Sequence, residues 1–286
     1  MSSDFTVVTI VKNRVQQLHN LISNLENATC TPAELIVVWM APPSDNSLIK
    51  STLFPIHHCF ETSDVLPIPR ARNKGFRNAK CERVVYMDVD CVSHPALFES
   101  MLGNWSSQKL FTSNIIEREA LPESDLQGNM FKQPVSAEAP VLSSMDAFRS
   151  SFFAIDKGDF ESLGGFDEDY EGFGIGDIDF ATRCARAGLE MVKVPLTTYT
   201  LYRANYQYPL HHLLDIVRNA NIYRKKWGHF PATEWLSAFA ANGYISRDYE
   251  NDKLVVTKLP TEEALADALE GYDLTRKASN DSRLSA

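Results

Sequence analysis

The sequence lacks the features that would place this protein across a membrane or on a nucleic acid. Its longest apolar stretches, such as 35–41, fall far short of the ~20 residues that a membrane-spanning helix needs. Lysine and arginine number 28 against 37 aspartates and glutamates, and the net charge of −9 argues against a nucleic-acid partner. The N-terminus lacks the basic and then apolar profile of a signal peptide. We therefore expect a cytoplasmic protein, with peripheral membrane association left open.

The cysteines form no recognisable disulfide or zinc pattern. The five cysteines are odd in number and scattered, and no pair has zinc-type spacing: Cys30, Cys59, Cys81, Cys91 and Cys184. Reduced thiols in a cytoplasm are the simplest interpretation. With 286 residues, 44% hydrophobic and 23% charged, the chain suits one large soluble domain or one domain with an appendage.

Strand and helix patterns alternate along the first half of the chain. The β-branched run 5–11 predicts a strand, 15–25 carries an apolar stripe on one helix face, and 34–40 predicts a second strand. This order predicts a parallel, right-handed βαβ unit at the start of an α/β fold. The remaining predicted strands are 57–61, 84–87, 110–116, 152–155 and 190–194, and the remaining helices are 68–79, 95–104, 157–163, 179–187, 210–227 and 261–269.

Two aspartates follow the predicted strand 84–87. Because residues i and i+2 of an extended chain point to the same face, the carboxylates of Asp88 and Asp90 are expected to converge. They stand at the carboxyl end of the strand, where ligands bind in open α/β sheets. Two hard oxygen ligands that leave coordination positions open suit Mg²⁺ or Mn²⁺ holding a diphosphate. A plain turn is the alternative, since aspartate is common after strands.

A second acidic segment, 164–179, combines carboxylates, aromatic residues and glycines. Asp177 stands where the next helix is expected to begin, and a helix N-terminus stabilises a carboxylate. Such a group can accept a proton from an incoming hydroxyl. The alternatives are that Asp177 is only an N-cap and Asp179 only a first-turn acid. The glycines of 172–176 do not form a dinucleotide loop, because no strand stands directly before them.

Several blocks of sequence together resemble the GT-A glycosyltransferases, which have the nucleotide-diphosphosugar transferase fold. The segment 11–14 (Val-Lys-Asn-Arg) resembles the donor-nucleotide loop of β-1,4-galactosyltransferases, and 71–75 (Ala-Arg-Asn-Lys-Gly) resembles a block of family 2 glycosyltransferases. Residues 88–90 match their metal-binding Asp-x-Asp. The segment 164–188 resembles their Gly-Gly-Phe-Asp-Glu and Gly-Trp-Gly-x-Glu-Asp-x-Asp blocks, also found in chondroitin polymerases, and 219–228 resembles their closing helix.

The resemblance implies a mostly parallel central sheet flanked by helices, and an inverting, metal-dependent glycosyltransferase. The donor would be a nucleoside-diphosphate sugar, with a UDP-sugar favoured, the acceptor a hydroxyl of a glycan or glycolipid, and the cofactor Mn²⁺ or Mg²⁺. Asp177 falls on the catalytic base. The implied nucleotide-sugar contacts are Val11, Asn13, Arg14, Trp39, Arg72, Asn73, Asp88 and Asp90. The implied acceptor contacts are Phe173, Gly174 and Asp179, and the implied metal ligands are Asp88, Asp90 and His211.

Three positions depart from the family pattern. Gly176 replaces the glutamate that usually precedes the base, and Phe173 replaces a tryptophan. Trp39 stands where a uridine-contacting aspartate is often found, so that it either stacks on the base or is a buried tryptophan at a strand end.

Arg72 is interpreted in two ways, as a donor to phosphate or as a residue that holds the acidic side chains in place.

The third metal ligand is a further departure. Family members often supply a histidine shortly after the strand that follows the base helix, but 198–202 contains none. His211 or His212 lies nearby in the sequence and is the candidate substitute. A surface or structural pair of histidines is the alternative.

The motifs divide the chain into a glycosyltransferase domain at 1–228 and a C-terminal extension at 229–286. Within the domain, about 1–110 would bind the nucleotide and about 111–228 the acceptor. A nucleotidyltransferase is disfavoured because 11–17 contains no glycine, and a non-catalytic nucleotide-sugar binding module is the other alternative. The sequence leaves the sugar, the acceptor and the oligomeric state open.

Overall fold

The computed structural model describes residues 4–43, 48–118, 139–145, 148–201, 208–231, 233–251 and 253–270. The chain divides into two compact units. The first unit comprises Met1–Glu171 and Gly176–Arg203, and the second comprises Gly172–Ile175 and Ala204–Ala286. The division at residue 228, which follows the sequence motifs, stays a prediction. Across the described ranges, every helix is too short or too polar to cross a bilayer.

The described residues of the first unit form a nine-stranded mixed sheet. Its strands are β1 (Phe5–Val11), β2 (Glu34–Trp39), β3 (Ile56–Phe60), β4 (Arg83–Met87), β5 (Cys91–Ser93), β6 (Lys109–Arg118), β7 (Val141–Leu142), β8 (Phe152–Asp156) and β9 (Glu190–Leu201). The order is β3-β2-β1-β4-β8-β6-β9-β5, with β7 beside β9. Strands β1 to β4 are parallel, as the βαβ pattern predicts, whereas β8 runs antiparallel between β4 and β6. The predicted α/β class with a large central sheet is confirmed.

Helices flank this sheet and also build the second unit. In the first unit they are α1 (Val15–Glu26), α2 (Ile68–Asn78), α3 (Leu97–Gly103), α4 (Lys157–Ser162) and α5 (Gly176–Arg186). In the second unit, a 3₁₀ turn (Leu210–His212) leads into α6 (Leu213–Trp227), followed by α7 (Glu234–Ala241) and α8 (Glu262–Glu270). Helix α5 begins earlier than the predicted 179–187, which places Asp177 inside its first turn. Helix α7 has no counterpart among the predicted helices.

Helix α2 lies unusually close to the sheet because of one glycine. A Cβ on Gly75 would overlap the side chain of Val8 in β1. Only glycine allows this approach, so the last residue of the 71–75 block is a packing residue. The close contact fixes α2 on β1, and Arg72, about one turn before Gly75, thereby lies towards the carboxyl ends of the parallel strands.

Apolar side chains fill both faces of the sheet. One core contains the buried stripe of α1, which is Leu18, Leu21, Ile22 and Leu25. The other core includes α2, α4 and α5, and it is rich in phenylalanine rings in mutual contact: Phe76, Phe148, Phe153, Phe160, Phe166 and Phe180. Such aromatic packing fixes the helices firmly, and it thereby fixes the side chains at the strand ends.

Candidate active site

Arg72 links the two predicted acidic motifs. Its side chain on α2 is buried, with 6% of the residue exposed. Nη1 donates a hydrogen bond to Oδ1 of Asp177 at 2.7 Å. Its Cζ lies 4.7 Å from the ring centroid of Tyr86, and the hydroxyl of Tyr86 donates to Oδ1 of Asp88 at 2.6 Å. One buried cation thus connects carboxylates from opposite halves of the chain.

The charge on Arg72 is stabilised by this surrounding. Burial by itself would lower the pKa of the guanidinium, but the ring of Tyr86 and the carboxylates of Asp177 and Asp88 stabilise its charge, so that the pKa of Arg72 is raised. Burial likewise raises the pKa of Tyr86 well above its ordinary value. Tyr86 is therefore a neutral hydroxyl at physiological pH, and it donates a hydrogen bond to the Asp88 carboxylate.

Ser150 completes a hydrogen-bonded triangle with the same two groups. Nη2 of Arg72 lies 2.9 Å from the Oγ of Ser150, and this Oγ lies 2.6 Å from Oδ2 of Asp177. Both oxygens of the carboxylate are therefore held, one by Arg72 and one by Ser150. The side chain of Asp177 is nevertheless 46% exposed, so that it remains open to a ligand.

The turn after β1 lies next to the same edge of the sheet. Nη1 of Arg14 lies 3.5 Å from Oδ1 of Asp90, because β1 and β4 are parallel neighbours whose carboxyl ends coincide. Asn13 is exposed and adopts a left-handed backbone conformation with φ of 55°, which asparagine tolerates better than most residues. Asn13 and Arg14 thus lie in the turn beside the end of β1, and their nucleotide contacts stay predictions.

The carboxylate oxygens of the two aspartates after β4 suit a divalent cation whose other ligands come from a substrate. Asp88 and Asp90 follow β4 in a turn, which the N–H of Cys91 closes on the carbonyl of Asp88 at 2.9 Å, so the extended backbone expected at 88–90 is wrong. Both still supply hard carboxylate oxygens just after the strand end. Among the described residues, no group of three or more His, Cys, Asp or Glu side chains could hold a metal by itself. Mg²⁺ is commonly held in this way, by one or two carboxylates together with phosphate oxygens and water. The hydrogen bond from Tyr86 would orient one of the two ligands.

The family model described as glycosyltransferase like family 2 matches residues 31–230. The chain belongs to this family. It is a glycosyltransferase of this family, as the sequence motifs predict. No curated protein sequence is significantly similar to it.

Solved structures of other glycosyltransferases share the fold of this enzyme. S. aureus TarS 1-349 in complex with UDP-GlcNAc has a TM-score of 0.54 at 12% identity, over 83% of this chain and 75% of TarS 1-349. GalNAc-T7 with UDP, GalNAc and Mn²⁺ has a TM-score of 0.51 at 16% identity, over 70% of this chain. The match spans only 44% of the GalNAc-T7 chain. These likenesses confirm the GT-A fold.

Two predicted ligand contacts of this glycosyltransferase are instead structural. Asn73 is buried and holds the 164–166 turn, since its amide bonds both the N–H and the carbonyl of Phe166. Asp179 is 0% exposed and accepts hydrogen bonds from Tyr170 and Arg183. A side chain without exposed surface cannot touch an acceptor, so the predicted acceptor role of Asp179 is wrong. The predicted donor contact of Asn73 is also corrected, because its amide is used within the protein.

Two further predicted donor contacts belong to the hydrophobic core. Val11 is fully buried, and its carbonyl oxygen accepts a backbone hydrogen bond from Met40. Trp39 is 1% exposed, and its Nε1 donates to Nδ1 of His58 at 3.0 Å. A buried ring presents no face to a nucleobase, so Trp39 is the buried strand-end tryptophan of the second interpretation. Both side chains belong to the core that covers one face of the sheet and contains the buried residues of α1.

The remaining predicted site residues belong to the second unit. Phe173 stacks on His212 with ring centroids 4.2 Å apart, and the N–H of Phe173 donates to Asp215 at 3.1 Å. Gly174 has φ of 85°, and a Cβ there would lie 3.1 Å from the indole of Trp235. Burial lowers the pKa of His211, which favours the neutral imidazole that binds metals. The acceptor contacts at Phe173 and Gly174 and the metal ligand at His211 stay predictions.

The local packing explains why Gly176 stands where the family has a glutamate. A Cβ at Gly176 would lie 3.3 Å from the Cβ of Tyr170, which is tighter than most such contacts. The preceding residue, Ile175, has φ of 68°, which is rare for a β-branched side chain. Strain of this kind persists only where the surrounding structure imposes it, and it clusters at functional sites. The turn before Asp177 is therefore a constrained one.

Sequence reasoning missed two residues of the site, Tyr86 and Ser150. Tyr86 had a usable signal, because it stands two residues before Asp88 on the same strand face. Ser150 had none, because the direction of β8 and its place beside β4 are decided by the tertiary structure.

Proposed function

We propose that this enzyme transfers a sugar, with inversion, from a UDP-sugar to a hydroxyl group of a glycan or glycolipid, and that it requires Mn²⁺ or Mg²⁺. One observation carries the proposal. Arg72 bonds directly to Asp177 and lies over Tyr86, which bonds to Asp88. Arg72 and Tyr86 therefore link the candidate base to a candidate cation ligand at the same edge of the sheet.

The proposed reaction is a single displacement at the anomeric carbon. The acceptor oxygen forms a bond to this carbon while the bond from the carbon to the diphosphate oxygen breaks, and UDP leaves. The hydroxyl proton passes to the Asp177 carboxylate, whose side chain is partly open to solvent. General-base assistance of this kind contributes about 10²–10⁴-fold to a rate. Attack from the face opposite to the leaving group inverts the anomeric configuration.

Asp88 and Asp90 would hold the divalent cation, with Tyr86 orienting Asp88. The chemistry supplied by a bound cation is neutralisation of the charge that builds on the leaving diphosphate. Arg14 lies beside Asp90, with Nη1 3.5 Å from Oδ1, and we assign it to the diphosphate. Arg72 bonds to Asp177 and Ser150, which supports the role of holding the acidic side chains in place.

The solved relatives support the donor class and the cation. TarS 1-349 was solved in complex with UDP and with UDP-GlcNAc, and GalNAc-T7 was solved with UDP, GalNAc and Mn²⁺. The decisive experiment is to incubate the protein with a panel of UDP-sugars and Mn²⁺ and to measure UDP release, with and without saccharide acceptors. Release that needs both the donor and Mn²⁺ is expected. Absence of release with every donor would favour a non-catalytic nucleotide-sugar binding module.

Replacement of a cation ligand gives a second test. Asp90→Ala is expected to weaken UDP binding in Mn²⁺ by at least about tenfold and to remove its metal dependence, because loss of a ligand oxygen weakens the shared cation. Isothermal titration of UDP with Mn²⁺ and with EDTA measures both effects. Asp64→Ala, which replaces an exposed aspartate, is the control and should bind UDP like the parent. Metal-dependent binding that survives in Asp90→Ala would contradict the assignment.

A further inference from the structure

We infer that Ser150 is a positioning residue that aims the Asp177 carboxylate at the acceptor hydroxyl. The inference rests on the proposed role of Asp177 as base. Ser150 lies outside every motif that resembles the family. It is selected by its place in the hydrogen-bonded triangle with Arg72 and Asp177.

The direction of each hydrogen bond in the triangle follows from the chemistry of the three groups. A guanidinium has donors only, so the Oγ of Ser150 accepts from Nη2 of Arg72. The single hydroxyl proton of Ser150 is then directed to Oδ2 of Asp177. The separation of 2.6 Å is in the range of a hydroxyl bound to a carboxylate. Ser150 therefore donates to the candidate base in a defined direction.

The backbone holds Ser150 in place. Ser150 precedes β8, which pairs antiparallel with β4 so that Phe152 lies opposite Met87. The N–H of Asp88 donates to the carbonyl of Ser151 at 2.8 Å. With 7% of the residue exposed, Ser150 has little freedom to move. The strand end that carries Asp88 thus also fixes the hydroxyl that contacts Asp177.

Two anchors constrain the carboxylate more than one would. With Arg72 alone, Asp177 would be held through Oδ1 only, and the group could turn about its Cβ–Cγ bond. The bond from Ser150 to Oδ2 prevents this rotation. A carboxylate oxygen has two lone pairs, so each oxygen can still accept a proton. A general base must lie within about 2.6–3.2 Å of the heavy atom whose proton it takes. Loss of the fixed carboxylate orientation therefore reduces the rate of transfer without reducing the affinity for the donor.

The test is Ser150→Ala, assayed for transfer with saturating donor and Mn²⁺. We expect kcat to fall by about 10- to 100-fold, as for a misplaced catalytic group, while the KM for the UDP-sugar and the affinity for UDP stay at parental values. UDP binding also reports that the variant is folded. Ser150→Thr, which keeps the Oγ, should retain turnover well above that of Ser150→Ala. Ser162→Ala is the matched control, because it removes a surface hydroxyl that donates to the carbonyl of Asp159 and should leave kcat unchanged.

The outcomes separate this inference from the proposed function. If Asp177→Asn is inactive but Ser150→Ala turns over like the parent, the positioning role is overturned and the base assignment stands. A raised KM for the donor with unchanged kcat would also overturn it, since Ser150 would then serve donor binding. If Asp177→Asn itself retains transfer, the base assignment fails and the role of Ser150 fails with it, whereas the proposed sugar transfer stands. The proposed function fails only if the parent protein releases no UDP from any donor.

Discussion

Asp177→Asn is expected to reduce sugar transfer by about 10²–10⁴-fold while UDP still binds in the presence of Mn²⁺. The amide has the shape of the carboxylate, and its oxygen can accept from Arg72 while its nitrogen donates to Ser150. The fold and the donor site should therefore survive. The amide cannot take up the acceptor proton, so the chemical step alone is affected.

The measurement is kcat for transfer beside the dissociation constant of UDP. Asp64→Asn replaces an exposed aspartate by the same amide and should behave like the parent in both. Near-parental transfer by Asp177→Asn would remove the base assignment. Loss of UDP binding in this variant would instead show that Asp177 serves the donor site.

Asp179→Ala is expected to lower the free energy of unfolding by about 3–5 kcal/mol. The carboxylate is fully buried and lies 2.9 Å from Nε of Arg183, so its removal leaves a largely buried guanidinium without its counter-ion. It also removes the hydrogen bond from Tyr170. Arg183 donates to the carbonyls of Leu163 and Gly165 as well, so the turn before the active site should loosen.

Urea denaturation measures this loss of stability. The matched control is Glu161→Ala, which removes another i,i+4 ion pair, the one between Lys157 and Glu161, on an exposed helix surface. Such pairs contribute only about 0.3–0.5 kcal/mol. If Asp179→Ala unfolds like the parent but has a raised KM for the acceptor, the structural role of Asp179 is wrong. The acceptor contact that the sequence predicts would then be correct.

The two predictions concern neighbouring aspartates whose different roles a sequence motif cannot distinguish. Both belong to the first turn of α5 and to one family-like block. Two positions apart on a helix they face different directions, since 3.6 residues make one turn. Asp177 points to the strand ends and remains open, whereas Asp179 points into the protein towards Tyr170 and Arg183.

Much of the fold could be predicted from local pattern. The β-branched run of β1 and the apolar stripe of α1 are properties of short segments, and the structure confirms both. The predicted ends of the strands and helices are less accurate. Strand β9 extends to Leu201, well beyond the predicted 190–194, and the predicted helix 210–227 begins with a 3₁₀ turn. Pairing with a neighbouring strand, which no local window contains, decides how far a strand continues.

The sequence by itself determined the α/β class, the parallel start of the sheet and the acidic groups that follow the strands, because each depends on residues close together in the chain. Only the tertiary structure decided which polar side chains meet. The antiparallel insertion of β8 beside β4 brings Ser150 to the strand ends, and the close packing of Gly75 on Val8 brings Arg72 there. Packing between distant segments also buries Val11, Trp39, Asn73 and Asp179. The exposure and the hydrogen-bond partners of a side chain depend on contacts between distant segments, and these contacts cannot be predicted from the spacing of residues along the chain.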